Sequence, residues 1–537
     1  MLKIENIKLP PGADLEQLTR EAARILRCPA KDLHSLRILR RSIDAREEVS
    51  LVYTVEAEAA DEGALLRRCR SKKVSRSQPK AAYQLPAPLP APEIPPVVVG
   101  AGPAGLFAAL VLAHAGLRPI LLERGRRVED RAADVERFWQ TGVLDPASNV
   151  QFGEGGAGAF SDGKLNTGTR DIRHRFILEQ LVSCGAPPDI LINAKPHVGT
   201  DYLHVVLRNL RQELTALGAD IRFESRLADL DIRGGALAGI TVDGPSGTYA
   251  LPCRQLVLCP GHSARDTFEL LFAREVAMEA KPFAVGVRIE HRQADCDAAQ
   301  YKCFAGHPGL PASTYKLSCH LPNGRAAFSF CVCPGGEVVA AASEPGRTVT
   351  NGMSEFARDK ENINGALLVN VTPEDFGGDG PLAGIAFQRR LEEAAFALGG
   401  SSFHAPAQRV EDFLACRPSQ GPGRVRPSYR PAVTWTDLHR CLPPFVSQTL
   451  EQALPLLGQK LRGYDAPDAV LTAVESRSSS PVRIPRDETG QASLRGLFPC
   501  GEGAGYAGGI LSAAADGMRS AEQVCRLLAA QRTSDSP

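Results

Sequence analysis

The chain has 537 residues, 43% of them hydrophobic and 23% charged, with a formal net charge of +1 at pH 7. That length buries more than one core, so two or three domains are expected, and the near-neutral balance excludes a global electrostatic pull toward nucleic acid or an anionic membrane. The 14 cysteines show no close repeating pairs, and the start, Met1-Leu2-Lys3-Ile4-Glu5-Asn6, has no signal-peptide pattern; reduced thiols in the cytoplasm are expected, not a disulfide scaffold.

Leu2 to Leu9 reads as a strand, Asp14 to Leu26 as a helix with an aspartate N-cap, Leu36 to Asp44 and Val49 to Glu58 as two strands, and Glu62 to Cys69 as a helix. Residues 1–70 are therefore expected to form a small α+β domain of ferredoxin-like topology. Residues 71–96 read as a linker, basic at first and then stiff and extended through Leu85-Pro86-Ala87-Pro88-Leu89-Pro90-Ala91-Pro92. Arg67, Arg68, Arg70, Lys72, Lys73, Arg76 and Lys80 occur with no acid from Leu65 to Lys80, and Tyr83 is the sole aromatic nearby. A solvated helix end and linker explains the run better than an RNA contact.

Val97 to Val99 is a short apolar run suited to a buried parallel strand. It enters Gly100-Ala101-Gly102-Pro103-Ala104-Gly105. Gly100 suits the tight turn, Gly102 lets backbone amides approach a pyrophosphate, and Gly105 lets the following helix pack closely on the strand. That helix, from Pro103 to about Ala115, starts where its dipole favours phosphate. A second apolar run, Pro119 to Leu122, ends at Glu123 with Arg124 beside it. The carboxylate lies about twenty residues past the first glycine, where an acid accepts hydrogen bonds from a ribose diol. This unit suits NAD or FAD. The apolar stretch from Val97 to Leu122 is interrupted by glycines, prolines, His114 and Arg118, so the nucleotide fold accounts for it better than a membrane span.

The segment from Asn149 to Leu165 is rich in glycine and contains Ser161, Asp162 and Lys164. Gly153, Gly155 and Gly158 match the dinucleotide spacing, but no apolar strand precedes them, so a second nucleotide fold is rejected. The loop is expected along the bound dinucleotide, with Gly155, Gly156, Gly158, Ser161, Gly163, Lys164 and Leu165 as cofactor residues. Lys164 is placed near the reacting end of the cofactor or a substrate anion, with a solvated surface lysine as the competing reading. Tyr202 to Leu217 reads as an amphipathic helix, Ala219 to Phe223 as a strand, Leu227 to Tyr249 as a meander, and Leu256 to Leu258 as a strand leading to Cys259-Pro260-Gly261. His262 follows. It titrates near neutrality, which suits an acid or base, although turn histidines are commonly only local hydrogen-bond partners.

Between 271 and 470, the runs Ala284 to Ile289, Ala326 to Val332 and Val338 to Ala342 suggest a sheet, and Leu438 to Leu461 contains helical material broken by prolines. Cys331-Val332-Cys333 would put two thiols on one face of a strand; buried structural cysteines are the preferred reading over a redox pair. No His/Cys spacing suggests a metal site. Arg477, Ser479 and Arg483 within Glu475-Ser476-Arg477-Ser478-Ser479-Ser480-Pro481-Val482-Arg483 suit an anionic substrate, because arginine holds planar anions with paired bonds. A turn with surface arginines is the alternative. Leu494 to Cys500 then reads as a strand entering Gly501-Glu502-Gly503, followed by Gly508-Gly509-Ile510 and a helix from Leu511 to about Ala521.

This order resembles the glutathione-reductase-like, two-dinucleotide-fold flavoproteins. Asn149 to Leu165, Phe330 to Gly336, Asn351-Gly352-Met353-Ser354 and Glu475 to Arg483 further resemble a bacterial family of FAD-dependent dehydrogenases, whose substrate is undefined; the resemblance runs to about Ala521. It implies an α/β chain with a Rossmann-like FAD-binding domain (97–270, returning at 471–525), an inserted α+β substrate domain (271–470) and a tail (526–537). It decides for FAD over NAD. Gly261 and Gly501 are implied at the cofactor, and Glu502, where the superfamily usually has aspartate, at the ribityl chain. The amides at Gly508, Gly509 and Ile510 are implied at the pyrimidine edge, where reduction puts negative charge. His262, Lys164 and Arg477 are the catalytic candidates for hydride transfer at N5 to or from a small anionic substrate. With no second strand-coupled glycine motif, electrons are expected from that substrate, from NAD(P)H docking transiently, or from a protein donor. An RNA-modifying flavoprotein is the alternative; a binding protein with purely structural FAD is the third reading.

Overall fold

The computed structural model describes residues 1–69, 71–78, 81–378 and 380–535. Arg70 and Lys80 of the basic run lie outside the described residues. The N-terminal unit has the strands Leu2–Leu9, Leu33–Asp44, Ser50–Ala59 and Val74–Arg76 and the helices Leu15–Leu26 and Glu62–Cys69. The strand order is second, third, first, fourth, all antiparallel, which is the ferredoxin-like arrangement. Asp14 caps the first helix in a capping box with Gln17, satisfying two orphan amides. The fourth strand was expected to be linker. It forms because Leu2, Lys3 and Ile4 leave an open edge that Arg76, Ser75 and Val74 pair with.

The nucleotide-type domain is built on a five-stranded sheet in the order Leu497–Pro499, Leu256–Leu258, Val97–Val99, Ile120–Leu122, Asp220–Arg222, parallel throughout. Its central strands are three-residue apolar runs with no exposed face, as a sheet covered on both sides requires. The helix Pro103–His114 is buried along nearly all its length between this sheet and the helix Ile510–Asp535. The two helices approach so closely that a Cβ on Gly517 would lie 1.9 Å from the Ala104 carbonyl oxygen. The 526–535 segment expected as tail thus continues a helix. A separate antiparallel meander, Arg226–Arg233, Ala236–Gly244 and Gly247–Pro252, lies beyond the parallel sheet.

The inserted domain centres on a seven-stranded sheet. Its order is Ser318–His320, Ala326–Cys333, Asn362–Val371, Phe283–Arg292, Val470–Glu475, Ala405–Arg409, Val433–Trp435. Val470–Glu475 pairs with Phe283–Arg292 inside this sheet, so the boundary placed at 470/471 falls within the insert. Glu337–Ala340, expected to join this sheet, pairs instead with Thr350–Met353 in a separate hairpin. The helix Pro444–Lys460 continues through Pro455 and covers the sheet's apolar face. Among the described residues no helix is long and apolar enough to cross a membrane.

Candidate functional site

The main cavity starts at the C-terminal ends of the parallel strands, where an open α/β sheet binds ligands. At one end is the first glycine turn. Gly100 has φ +97°, and a Cβ there would sit 2.2 Å from the Cys259 carbonyl oxygen, so the neighbouring strand leaves room for glycine alone. A Cβ on Gly105 would sit 1.7 Å from the Gly100 oxygen, which is the close helix–strand contact expected of it. Gly102 differs. Its Cβ would meet only Gly156 Cα at 3.8 Å and would otherwise point into the cavity.

Glu123 is buried and holds this turn from the next strand. Its Oε2 accepts the Ala101 amide at 2.7 Å; its Oε1 accepts those of Gly125 and Gly153, each at 2.9 Å. Three of about four acceptor positions are used, and the fourth suits a ribose hydroxyl. Arg124 lies beside it, stacked 4.3 Å over Phe152 and donating to Asp266 at 3.0 Å.

The glycine-rich loop crosses over the first turn, with no strand before it and a short 3-10 turn, Gly156–Phe160. Sequence reasoning missed what pins it there. Arg131 is fully buried and donates to the carbonyls of Asn149, Val150, Glu154 and Gly156 at 2.6–2.9 Å. Four carbonyls solvate the guanidinium in place of water, and the charges of Glu123 and Glu154 support it. Gly155 and Leu165, read as cofactor residues, do not line the cavity, and neither does Gly105. Gly155 turns toward Leu207 and its amide fastens to the Ala101 carbonyl, while Leu165 is in the core. Gly156, Gly158, Ser161, Gly163 and Lys164 do line it.

At the far end, Gly501, Glu502, Gly508, Gly509 and Ile510 meet Gly261 and His262 from the neighbouring strand end. A Cβ on Gly508 or Gly509 would touch nothing within 4 Å, and the helix Ile510–Asp535 presents its N-terminus there. Asp516 accepts the Gly501 amide at 2.8 Å and is held by Arg486. Burial pushes the Glu502 carboxyl up to about 7, against the pull of Lys281. The space, the glycine cradles, the buried Glu123 carboxylate and the helix N-terminus together fit a dinucleotide carrying a ring system.

Matches to known proteins agree with that fit. Residues 93–309 match an FAD binding domain, 282–478 a FAD-dependent protein, C-terminal domain-like, and 1–60 a domain of unknown function. An uncharacterized protein of Clostridium beijerinckii is 45% identical over 527 residues, covering 97% of this chain and 98% of that one. The chain belongs to a family of FAD-dependent proteins. Solved structures similar to it include aklavinone-11 hydroxylase with FAD and aklavinone (16% identical, TM-score 0.36, spanning 82% of this chain and 63% of that one). Others are the flavin-dependent brominase Bmp2 in a triple-mutant form (13%, 0.37, 81% and 80%) and E. coli quinol fumarate reductase (12%, 0.37, 81% and 70%).

In this FAD-dependent protein the insert supplies the other wall of the cavity's far end: Phe330, Cys331, Asn351, Glu475, Arg477 and Ser478. Several sequence readings change here. Ser479 and Arg483 do not line the cavity; Arg483 is exposed and stacks 4.7 Å over Tyr506. Arg477 lines it, but its guanidinium grips Glu392 at 2.9–3.0 Å and Ser343 at 2.6 Å, leaving little for a substrate anion. His262 was expected to titrate near neutrality. Burial, with Arg477 and Arg265 adding to it, pushes it down to about 3, so the imidazole is neutral and hydrogen-bonded through Nδ1 to Ser263. His262→Gln is accordingly expected to add or remove no ionisation in the pH–rate profile between about pH 5 and 8; loss of a limb there would restore it as an acid–base group.

Lys164 is no solvated surface lysine. Its Nζ lies 3.0 Å from Asp162, and Asp162 is held by Arg358 at 2.6 Å. Burial opposes the Asp162 charge, but Lys164 and Arg358 outweigh it and hold the carboxyl down to about 2. Glu475, pushed up to about 7 by burial against its partner Arg288, joins Glu502 as a group here that changes charge near neutrality. Cys331, read as a buried structural thiol, faces the cavity, while Cys333 is buried behind it. Away from the cavity, where spacing suggested no metal, Cys416, His439 and Glu451 nonetheless converge. His439 there is engaged by Asp437 at 2.6 Å and Glu451 at 2.7 Å.

Proposed function

We propose that this protein is an FAD-dependent oxidoreductase of the dehydrogenase type, passing a hydride between flavin N5 and a small anionic substrate. The observation that carries this is the convergence on one cavity end of a helix N-terminus from the nucleotide domain and Lys164, Asn351 and Glu475 beside it. FAD supplies the hydride-accepting ring. The amides at Gly509 and Ile510 stabilise negative charge at the pyrimidine edge, as preorganised donors do without reorganisation. Lys164 holds a substrate carboxylate or comparable anion, and Asp162 orients the ammonium. Glu475 is poised to hold or release a proton near neutrality. The insert forms the other wall of the site. Electrons come from the substrate, from NADH or NADPH docking transiently, or from a protein donor.

Anaerobic addition of NADH, NADPH and a panel of small carboxylic acids to the yellow protein is expected to bleach the flavin with at least one of them. A flavin that no donor reduces would leave FAD a structural role. Lys164→Met is expected to weaken an anionic substrate about 10- to 150-fold, from the about 1.5–3 kcal/mol of a charge-assisted hydrogen bond, with FAD retained. The RNA alternative has less support. Arg67, Arg68, Lys72, Lys73 and Arg76 are exposed, but Tyr83 packs on Phe176 at 5.2 Å and donates to Glu522, so it offers no face for base stacking.

A further inference from the structure

The strand Ala326–Cys333 pairs regularly with Asn362–Val371 up to Phe330↔Ala366, and pairing resumes at Cys333↔Asn364. One extra residue is therefore inserted on the cysteine-bearing strand, and Cys331 within this bulge takes φ +41°. A left-handed conformation at a non-glycine residue persists only where its surroundings enforce it. Here the Cys331 carbonyl is held from both sides. It accepts from Arg288 at 2.8 Å and lies 3.4 Å from Cys333 Sγ. The bulge re-aims Cys331 into the flavin end of the cavity, with Cys333 directly behind.

Both thiols sit in one cationic setting. Cys333 Sγ is 4.0 Å from Lys164 Nζ and 3.7 Å from an Arg288 nitrogen. Arg288, fully buried, is itself fixed by Asn364 at 2.7 Å and Glu475 at 3.2 Å. Cationic neighbours and a thiol donor are the conditions that produce reactive thiolates; purely apolar burial makes cysteines inert. Hydrogen bonding from Cys333, with Lys164 and Arg288 assisting, holds the Cys331 thiol well below its usual range, and the same contact raises Cys333. By contrast, burial raises Cys253, Cys441 and Cys525.

We propose that Cys331 and Cys333 form a redox-active dithiol that exchanges an electron pair with the bound flavin, Cys331 facing the ring and Cys333 closing the disulfide behind it. This rests on FAD occupying the cavity as described above. The exchange balances internally. Starting from the Cys331 thiolate and the Cys333 thiol, one Sγ–Sγ bond forms and the Cys333 S–H bond breaks. The electron pair and that proton pass to oxidised FAD, which becomes its reduced anion. The reverse step reopens the disulfide.

Reductive titration of the fully oxidised holoprotein under argon tests this. Wild type is expected to take up about four electrons per flavin, about two for each couple. Cys331→Ser and Cys333→Ser are each expected to take up about two and remain yellow. Cys333→Ser is further expected to show a broad long-wavelength charge-transfer absorption from the remaining thiolate, absent in Cys331→Ser. Uptake of about two electrons by wild type overturns the proposal. So does uptake of about four by Cys331→Ser, which would move the disulfide elsewhere, the buried Cys259–Cys500 pair at 3.1 Å being the nearest rival. Should the variants fail to fold, peptide mapping of oxidised wild type decides: one peptide carrying both cysteines and lacking the two thiol hydrogens supports the pair, and two free thiols in that peptide overturn it. A colourless wild-type protein that FAD does not reconstitute removes the cofactor reading, and this proposal with it.

Discussion

Replacing Gly102 with valine removes the flavin and leaves the protein folded. The site for the new side chain is open on the protein side, Gly156 Cα at 3.8 Å being the nearest atom, so the methyl groups enter the space the pyrophosphate needs. Overpacking costs about 1–3 kcal/mol and more where nothing can yield, so FAD affinity should fall by about two orders of magnitude. Far-ultraviolet circular dichroism should match wild type while the visible flavin bands disappear on gel filtration. The control is Gly105→Val. Its Cβ would collide with the Gly100 carbonyl at 1.7 Å, so that variant should lose folded protein along with the flavin. A yellow Gly102→Val protein would mean that the pyrophosphate lies elsewhere.

Glu392→Ala is expected to destabilise the protein by about 3–5 kcal/mol, the cost of removing one partner from a buried ion pair. Glu392, on the helix Ala383–Leu398 of the insert, is wholly buried. It accepts from Arg265 at 2.7–2.8 Å, from Arg477 at 2.9–3.0 Å and from Ser476 at 2.7 Å. Arg265 follows the closing strand of the nucleotide sheet, so this carboxylate staples the two domains at the cavity wall, and its loss leaves two buried guanidiniums with Glu344 as their remaining carboxylate. Urea unfolding measures the effect; a change below about 1 kcal/mol would show that the arginines find water or another acceptor. The pH dependence has a definite sign. Burial opposes the Glu392 charge, but Arg265 and Arg477 hold its carboxyl far below the ordinary range. Its contribution is thus present above the unfolded carboxyl pKa and is lost as pH falls toward the lowered folded value. The wild-type advantage over Glu392→Ala should shrink in acid.

The parts legible in the sequence were those whose causes are local. Gly100, Gly102, Gly105 and Glu123 lie within 24 consecutive positions, and strand, turn, helix and acid each leave their own mark there. Asp14 identifies a helix start for the same reason. Readings failed where a partner far along the chain decides the outcome. Arg477 looked free to bind an anion because Glu392, 85 residues away, carries no sign in sequence of pointing at it. His262 looked titratable because the burial that chiefly keeps it neutral, and Arg477 beside it, arise only in the folded chain. Val74–Arg76 became a strand because an edge stood open, and Arg131 anchors a loop through carbonyls, which every residue has.

The family resemblance decided for FAD and implied a helix N-terminus at its ring; by themselves the residues determined the dinucleotide turn and the α/β order of the elements. These follow from backbone geometry and short-range periodicity, which residue type controls directly. Tertiary structure alone decided which charges are already spent and which groups face the cavity. Arg477 and Asp162 are engaged by partners; Lys164, Glu475 and Cys331 meet at one wall. A buried charge is set by whatever lies within a few ångströms of it, and that neighbourhood exists only once the two domains have closed on each other.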